Sequence, residues 1–200
     1  MSEIKFVYFD IGGVLFNWKI ALKNLAKHLD RSYESVKAVF ERYDEDVCRG
    51  KITPDSLWQY YKTELNVGLE INDFADWWTD KFTPIKQMHD LARDISKKYR
   101  VGILTNVYEG AYIKMIEKGH VPNIDWETVI QSCELNLVKP EDDFFLYAQR
   151  KANVLPSEIL FIDDSQKNID KAKKLGWQGV RFDEINPEDT VKNVRKILKL

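Results

Sequence analysis

The sequence predicts an α/β protein: a doubly wound parallel sheet covered by helices on both faces, with a small all-helical segment inserted after the first strand. Three observations carry this. The chain opens on a β-branched and aromatic run, Ile4-Lys5-Phe6-Val7-Tyr8-Phe9, closed by Asp10 and the pair Gly12-Gly13, which reads as a buried strand ending in a tight loop. From about Trp18 to Phe82 there is no convincing strand, only helical spacing. After Thr83-Pro84 helix and strand alternate to the end, and strands joined by right-handed helical crossovers call for a parallel sheet.

Within the inserted segment, Ile20, Leu25 and Leu29, then Val36, Val39 and Phe40, then Leu57, Tyr60, Tyr61 and Leu65 recur at helical spacing. Helix starts are expected at Ser32, at Thr53 with Pro54 in the first helical position, and at Asn72 or Asp73. The alternating part then predicts a helix over 86–98, a strand over 101–104 ending in Thr105-Asn106, a helix over 111–118 and a strand over 128–132. A helix over 141–151, a strand over 159–162, a helix over 168–175, a strand over 178–182 and a last helix from Pro187 complete the pattern. No internal repeat or low-complexity segment competes with it.

A chain of 200 residues buries a sizeable core and fits either one domain or a core carrying a smaller insertion. With 44% hydrophobic, 12% aromatic and 31% charged residues it has the composition of a folded globular protein, not a disordered one. Thirty basic against 32 acidic residues give a net charge of -2, which provides no global field to gather nucleic acid or an anionic membrane. The run Ile4 to Phe9 is too short to cross a bilayer and lacks the flanks of a signal peptide, so the expected location is cytoplasmic. Cys48 and Cys133 lie far apart with no CxxC or His/Cys pairing, and are expected to be two reduced thiols.

In doubly wound sheets ligands bind at the carboxyl ends of the strands. Asp10 stands after the first strand, Thr105 after 101–104, Asp163-Asp164 after 159–162, and Lys139, before Pro140, in the loop after 128–132. A single strand-end Asp is most often a cap or turn former, but all four in this order point to one site. Three carboxylates at one sheet edge repel one another unless a cation lies among them, and hard oxygen donors without His or Cys suit Mg²⁺. Lys139 adds a point charge for phosphoryl oxygens, the Thr105 hydroxyl and Asn106 amide can donate to them, and a carboxylate can attack phosphorus to form an aspartyl-phosphate. Phosphoryl transfer uses all of these parts.

The chain resembles the haloacid dehalogenase superfamily along its whole length. Phe9-Asp10-Ile11-Gly12-Gly13-Val14-Leu15 looks like its first motif, Leu104-Thr105-Asn106 its second, Lys139-Pro140 its third, and Phe161-Ile162-Asp163-Asp164-Ser165 with Asn168 its fourth. The resemblance implies a Rossmann-like core over 1–15 and 85–200 and a helical cap over 16–84. It implies Asp10 as nucleophile and metal ligand, the Gly12 carbonyl and Asp164 as further Mg²⁺ ligands, and Asp163 and Asn168 in support. Thr105, Asn106 and Lys139 would hold the phosphoryl group, with Lys139 also neutralising charge during catalysis. The implied activity is a magnesium-dependent phosphatase acting on a small phosphorylated metabolite, sugar phosphates before nucleotides or flavin phosphates.

One position departs from the pattern. Phosphatases of the superfamily usually carry a second Asp two residues after the nucleophile, as acid toward the leaving alcohol and base toward water; here that position is Gly12. The closest-looking members with an Asp-x-Gly opening are sugar-phosphate phosphatases with a small cap. The histidines His28, His89 and His120 stand at no strand end and are expected to be structural or solvent-facing. The cap aromatics Trp58, Tyr60, Tyr61, Trp77 and Trp78 fit packing of a small bundle, with stacking on a substrate as the sharper reading. Arg49 and Lys51 face either the active site or solvent at a helix end.

Three other readings remain open: a phospho-receiver module, a catalytically silent binding protein that kept the fold, and a metal-independent 2-haloacid dehalogenase. In receivers the acidic pair comes early and the Lys last, whereas here a lone Asp comes first and the pair follows the Lys. The paired Asp163-Asp164 favours a cation over metal-free dehalogenation.

Overall fold

The structure, a computed structural model, describes residues 3–200. Strand β1 (Phe6–Phe9) runs through a tight loop into the short β2 (Phe16–Asn17). Helices α1 (Lys19–Leu29), α2 (Tyr33–Cys48), α3 (Pro54–Leu65) and α4 (Phe74–Thr79) follow before β3 (Thr83–Pro84) returns the chain. The rest alternates: α5 (Lys86–Ser96), β4 (Arg100–Thr105), α6 (Ala111–Glu117), β5 (Thr128–Gln131), α7 (Ser132–Leu135) and α8 (Asp142–Ala152). Then come β6 (Ile159–Asp163), α9 (Gln166–Lys174), β7 (Gln178–Arg181) and α10 (Pro187–Leu198).

The main sheet is parallel, in the order β5-β4-β1-β6-β7. Its strands are apolar throughout because both faces are covered. Side chains alternate across β1: Phe6 and Tyr8 join Phe144, Phe145, Phe161 and Trp177 on one face, and Val7 and Phe9 join Val101, Ile103, Leu91 and Ile162 on the other. The chain builds outward from β1 to β5 and then returns to β6 on the other flank. The carboxyl ends of β1, β4 and β6 therefore meet where the strand order reverses, the place in such sheets where a crevice opens.

The register decides which residues meet there. Phe9 lies opposite Ile103 and Ile162, so Asp10 emerges level with Asp163, and its N–H donates to the Ile162 carbonyl at 2.9 Å.

β2 and β3 form a two-stranded antiparallel ribbon, Phe16 opposite Pro84 and Asn17 opposite Thr83, at the base of helices α1–α4. We propose this ribbon as the boundary between cap and core. The expected starts are present: Ser32 and Thr53 accept from Ser35 and Ser56 N–H at 3.1 Å, and Asp73, rather than Asn72, accepts from Asp76 N–H at 2.8 Å. Leu25, Val36, Leu57, Trp58, Tyr61 and Phe74 are buried in the cap interior.

Several local expectations change. After β5 the chain turns at once into α7, so Lys139 follows a short helix and not the strand itself, and its bond to Pro140 is cis. Helix α9 begins at Gln166, which places Asn168 in its first turn. Among the described residues no helix is long and apolar enough to cross a membrane.

Candidate active site

Carboxylate oxygens of Asp10, Asp163 and Asp164 lie within 4.8 Å of one another at the carboxyl edge of β1 and β6. The Lys139 ammonium is buried between two of them, 2.9 Å from Asp10 Oδ1 and 2.8 Å from Asp163 Oδ2. Burial opposes its charge, but the two carboxylates outweigh burial and raise its pKa. Asp10 is pushed up to about 7, by burial first, against the pull of Lys139, with Asp163 and Asp164 adding like charge. Asp164 is raised by burial and by Asp163. A second cation among these groups would relieve that repulsion.

The two members of the acidic pair differ. Asp163 Oδ1 accepts from Ser165 N–H at 2.8 Å, Asn168 Nδ2 reaches both its oxygens at 3.0 Å, and Lys139 takes Oδ2. Its acceptor capacity is largely used. The nearest cation to the Asp164 carboxylate is Lys19 Nζ at 3.9 Å. Asp10 Oδ1 also accepts from Ile11 N–H at 2.8 Å, whereas Oδ2 accepts no hydrogen bond among the described residues. In the turn beyond, Gly13 N–H donates to Phe16 and the Val14, Leu15 and Phe16 N–H groups to the Ile11 carbonyl, so none of these bonds uses the Gly12 carbonyl. One oxygen each from Asp10, Gly12 and Asp164 is thus uncommitted, a hard-donor set that fits Mg²⁺.

A cavity of about 210 Å³ opens over this edge. Asp10, Gly12, Asn106, Lys139, Asp164 and Asn168 line it, while Thr105 and Asp163, both fully buried, do not. Asn106 braces the loop that carries Lys139: its Oδ1 accepts from Lys139 N–H at 2.9 Å and its Nδ2 donates to the Lys139 carbonyl at 3.4 Å. The Thr105 hydroxyl donates to the Asn106 carbonyl at 3.3 Å. The other walls are apolar, chiefly Phe16, Trp18, Phe40, Trp78, Phe82 and Met115. Asp44, Cys48 and Tyr108 complete them.

Of those wall residues, sequence alone points only to Trp78 as a candidate to touch substrate. Trp78 is the one cap aromatic singled out in advance that reaches the cavity; Trp58 and Tyr61 pack inside the cap, and Tyr60 stacks on Tyr43 at 4.2 Å. Asp44 belongs to an ordinary acidic stretch of α2, and nothing in its spacing distinguishes it. Arg49 faces neither the cavity nor open solvent: its guanidinium bridges Glu45 and Glu141, and Nη1 donates to the Asn136 carbonyl at 3.1 Å, joining cap to core. Lys51 is exposed and pairs with Asp46. Gly12 has an ordinary backbone angle, and it is Gly13 that holds a positive φ of 80°. None of the three histidines lines the cavity: His28 is exposed beside Trp77, and His89 and His120 are buried.

Comparison with known proteins agrees with this architecture. The sesquiterpene phosphatase astK of Aspergillus oryzae is 23% identical over 191 residues, covering 90% of this chain and 91% of that protein. The D-ribitol-5-phosphate phosphatase of Bacteroides thetaiotaomicron is 25% identical, covering 88% and 90%. A haloacid dehalogenase (HAD) family enzyme of Bacteroides thetaiotaomicron, solved in complex with magnesium and inorganic phosphate, shares the fold with a TM-score of 0.75 at 23% identity, over 90% of this chain and 95% of that one. A predicted HAD-like family hydrolase from Porphyromonas gingivalis does so with a TM-score of 0.77 at 21% identity over the whole of both chains. The family described as haloacid dehalogenase-like hydrolase matches residues 7–182, and the chain belongs to that family of enzymes.

Proposed function

We propose that this hydrolase is a magnesium-dependent phosphatase that cleaves a small phosphate monoester through an aspartyl-phosphate on Asp10. The observation that carries the reading is the anchoring of Asp10: its Oδ1 is tied to Ile11 N–H and Lys139, which fixes the carboxylate at the floor of the cavity as the nucleophile. The attacking oxygen forms a bond to phosphorus as the bond to the alcohol oxygen breaks. Water then cleaves the acyl phosphate, releasing inorganic phosphate and restoring the carboxylate. Lys139 offsets the charge gathered on the phosphoryl oxygens, and Asn106, by fixing the Lys139 backbone, keeps that charge in place. Asp10, the Gly12 carbonyl and Asp164 would hold Mg²⁺, whose charge supplies Lewis-acid stabilisation of the phosphoryl group.

Support comes from relatives named as phosphatases and from a structural neighbour solved with magnesium and phosphate. One relative is named for a sesquiterpene and the other for D-ribitol 5-phosphate, so they do not choose between an apolar and a polar alcohol. The aromatic walls of the cavity favour an alcohol with an apolar body over a sugar. A panel of monoesters with apolar and polyol alcohols, with and without Mg²⁺, tests this against an Asp10→Asn control. Metal-dependent phosphate release that vanishes in the control is expected. Metal-independent halide release from a 2-haloacid, with no phosphate release, would replace the reading with a dehalogenase.

A further inference from the structure

We propose that Asp44, reaching the cavity from the cap helix α2, is the general acid and base that serves the leaving alcohol. The inference rests on the phosphatase reading. An alkoxide leaving phosphorus needs a proton, and water attacking the acyl phosphate must give one up. Gly12 offers no side chain, and a carbon added there would meet only Trp18, at 3.5 Å. The proton must come from another wall of the same cavity.

Among the other titratable residues lining the cavity, five are unsuited. Asp10 and Asp164 face the metal position, and Lys139 is locked in two ion pairs. The Cys48 thiol and the Tyr108 phenol are each pushed well above their usual range by burial. Asp44 remains. It forms no ion pair among the described residues, and its Oδ1 accepts from the Tyr108 hydroxyl at 2.6 Å. That bond aims the carboxyl from cap to core, and the second oxygen accepts no hydrogen bond among the described residues.

Its surroundings place its titration near neutrality. Burial raises its pKa to about 6, with the Tyr108 and Cys48 hydrogen bonds opposing and Glu45 assisting. The charged and titratable groups around it are Glu45 and Cys48 on its own helix, Tyr61 on α3, Tyr108 after β4, and Asp10, Lys139 and Asp164 across the cavity. In the first step the protonated carboxyl gives its proton to the departing oxygen as the P–O bond breaks. In the second the carboxylate takes a proton from the attacking water, whose oxygen joins phosphorus as Asp10 departs. Asp44 ends protonated, ready for the next ester.

The experiment compares wild type, Asp44→Asn and Tyr108→Phe, with Mg²⁺, on nitrophenyl phosphate and on an alkyl phosphate of similar size. Asp44→Asn should lower kcat/KM, which reads the step that expels the alcohol and not the hydrolysis shared by both esters, by about 10²- to 10⁴-fold on the alkyl ester, the usual contribution of a positioned acid, and by far less on the aryl ester. The fall in alkyl kcat/KM with rising pH should disappear in Asp44→Asn and move to higher pH in Tyr108→Phe, since the lost hydrogen bond favoured the carboxylate. If both variants lower kcat/KM for both esters by one common factor with unchanged pH profiles, Asp44 is a strut between cap and core and the proposal falls. Should Asp44→Asn not fold, the wild type alone decides, because a pH profile identical for alkyl and aryl esters overturns the proposal. Wild type inactive on both esters means that the phosphatase reading has failed and takes the proposal with it.

Discussion

The Asp164 carboxylate occupies the space in which a side chain on Gly13 would begin: a carbon added there would sit closer to Asp164 Oδ2 than real side-chain carbons approach a neighbour. Gly13 also has φ 80°, which costs other residues about 1–2 kcal/mol. Gly13→Ala should therefore lower the melting temperature and displace Asp164, raising the half-saturating Mg²⁺ concentration more than tenfold. Gly12→Ala, with an ordinary φ and 3.5 Å of clearance to Trp18, should melt within about 1 kcal/mol of wild type. Equal losses in the two variants would remove the steric account of the second glycine.

Asp163 and Asp164 should separate in stability as well as in metal binding. Removing the Asp163 carboxylate leaves the Lys139 ammonium, the Asn168 amide and Ser165 N–H short of a buried acceptor, a loss on the order of 3 kcal/mol for a broken buried pair. Removing Asp164 relieves like-charge repulsion, so without metal Asp164→Ala should be no less stable than wild type. It should, however, lose the rise in melting temperature that Mg²⁺ gives wild type by binding the folded state. Thermal melts of both variants with and without Mg²⁺ make the comparison, and a metal-induced rise retained in Asp164→Ala would exclude it as a ligand.

The fold and the floor of the site were legible for one reason: both follow from short-range sequence. A central parallel strand must be apolar on both faces, so Ile4 to Phe9 and Ile159 to Ile162 announce themselves, and polar residues at their ends stand out. The roof is different. Phe40 and Asp44 share one face of α2, but Tyr108 lies after β4 and Met115 on α6, and these three segments converge only through how the cap packs on the core, which no local periodicity encodes. Arg49 likewise reads as a helix-end cation until Glu141, distant in sequence, is brought beside it. Gly12 and Gly13 are indistinguishable as letters, and the strain belongs to the second because the turn reverses there. Ser132 to Leu135 reads in sequence as a strand end followed by a loop, since so short a helix carries no period of its own.

Acid should destabilise the fold in part through His120. The ring is buried against Phe16 and Phe82, and neither nitrogen finds a hydrogen-bond partner among the described residues; the nearby Thr79 backbone favours the charged form without completing a bond. Burial lowers the His120 pKa, as it does that of His89. A histidine with a depressed folded pKa takes up its proton more readily when unfolded. Its contribution is therefore fully present above the unfolded value of about 6.5 and is lost as pH falls through that value toward the folded one. His120→Phe removes the titration and two unsatisfied polar atoms, so it should melt at or above wild type and lose less stability between about pH 7.5 and pH 5.5. Comparison with wild type cancels the acidic cluster, and an equal loss in the two proteins would assign the acid sensitivity elsewhere.

The contact between Arg49 and Glu141 should set how tightly the cap closes over the cavity. Arg49 ends α2, four residues from Glu45, and Glu141 lies two residues beyond Lys139, where its Oε2 also accepts from Val138 N–H at 3.2 Å. The Ser132 hydroxyl donates to the Cys48 carbonyl at 2.5 Å nearby, so the end of the cap helix is fastened to the segment between β5 and α8 that carries Lys139. Arg49→Ala should loosen the cap alone and raise KM with little change in kcat. Glu141→Ala should also lower kcat, because the Lys139 loop loses an acceptor. The double variant should cost less than the sum of the two, with a coupling of about 0.5–1.5 kcal/mol, above that of most exposed pairs because the planar guanidinium engages its partner with two nitrogens. Arg49→Lys should not restore wild-type KM, since an ammonium cannot span Glu45, Glu141 and the Asn136 carbonyl at once. Steady-state kinetics of wild type and the four variants at low and high salt provide the measurement. Strict additivity would mean that the cap closes through its apolar contacts alone.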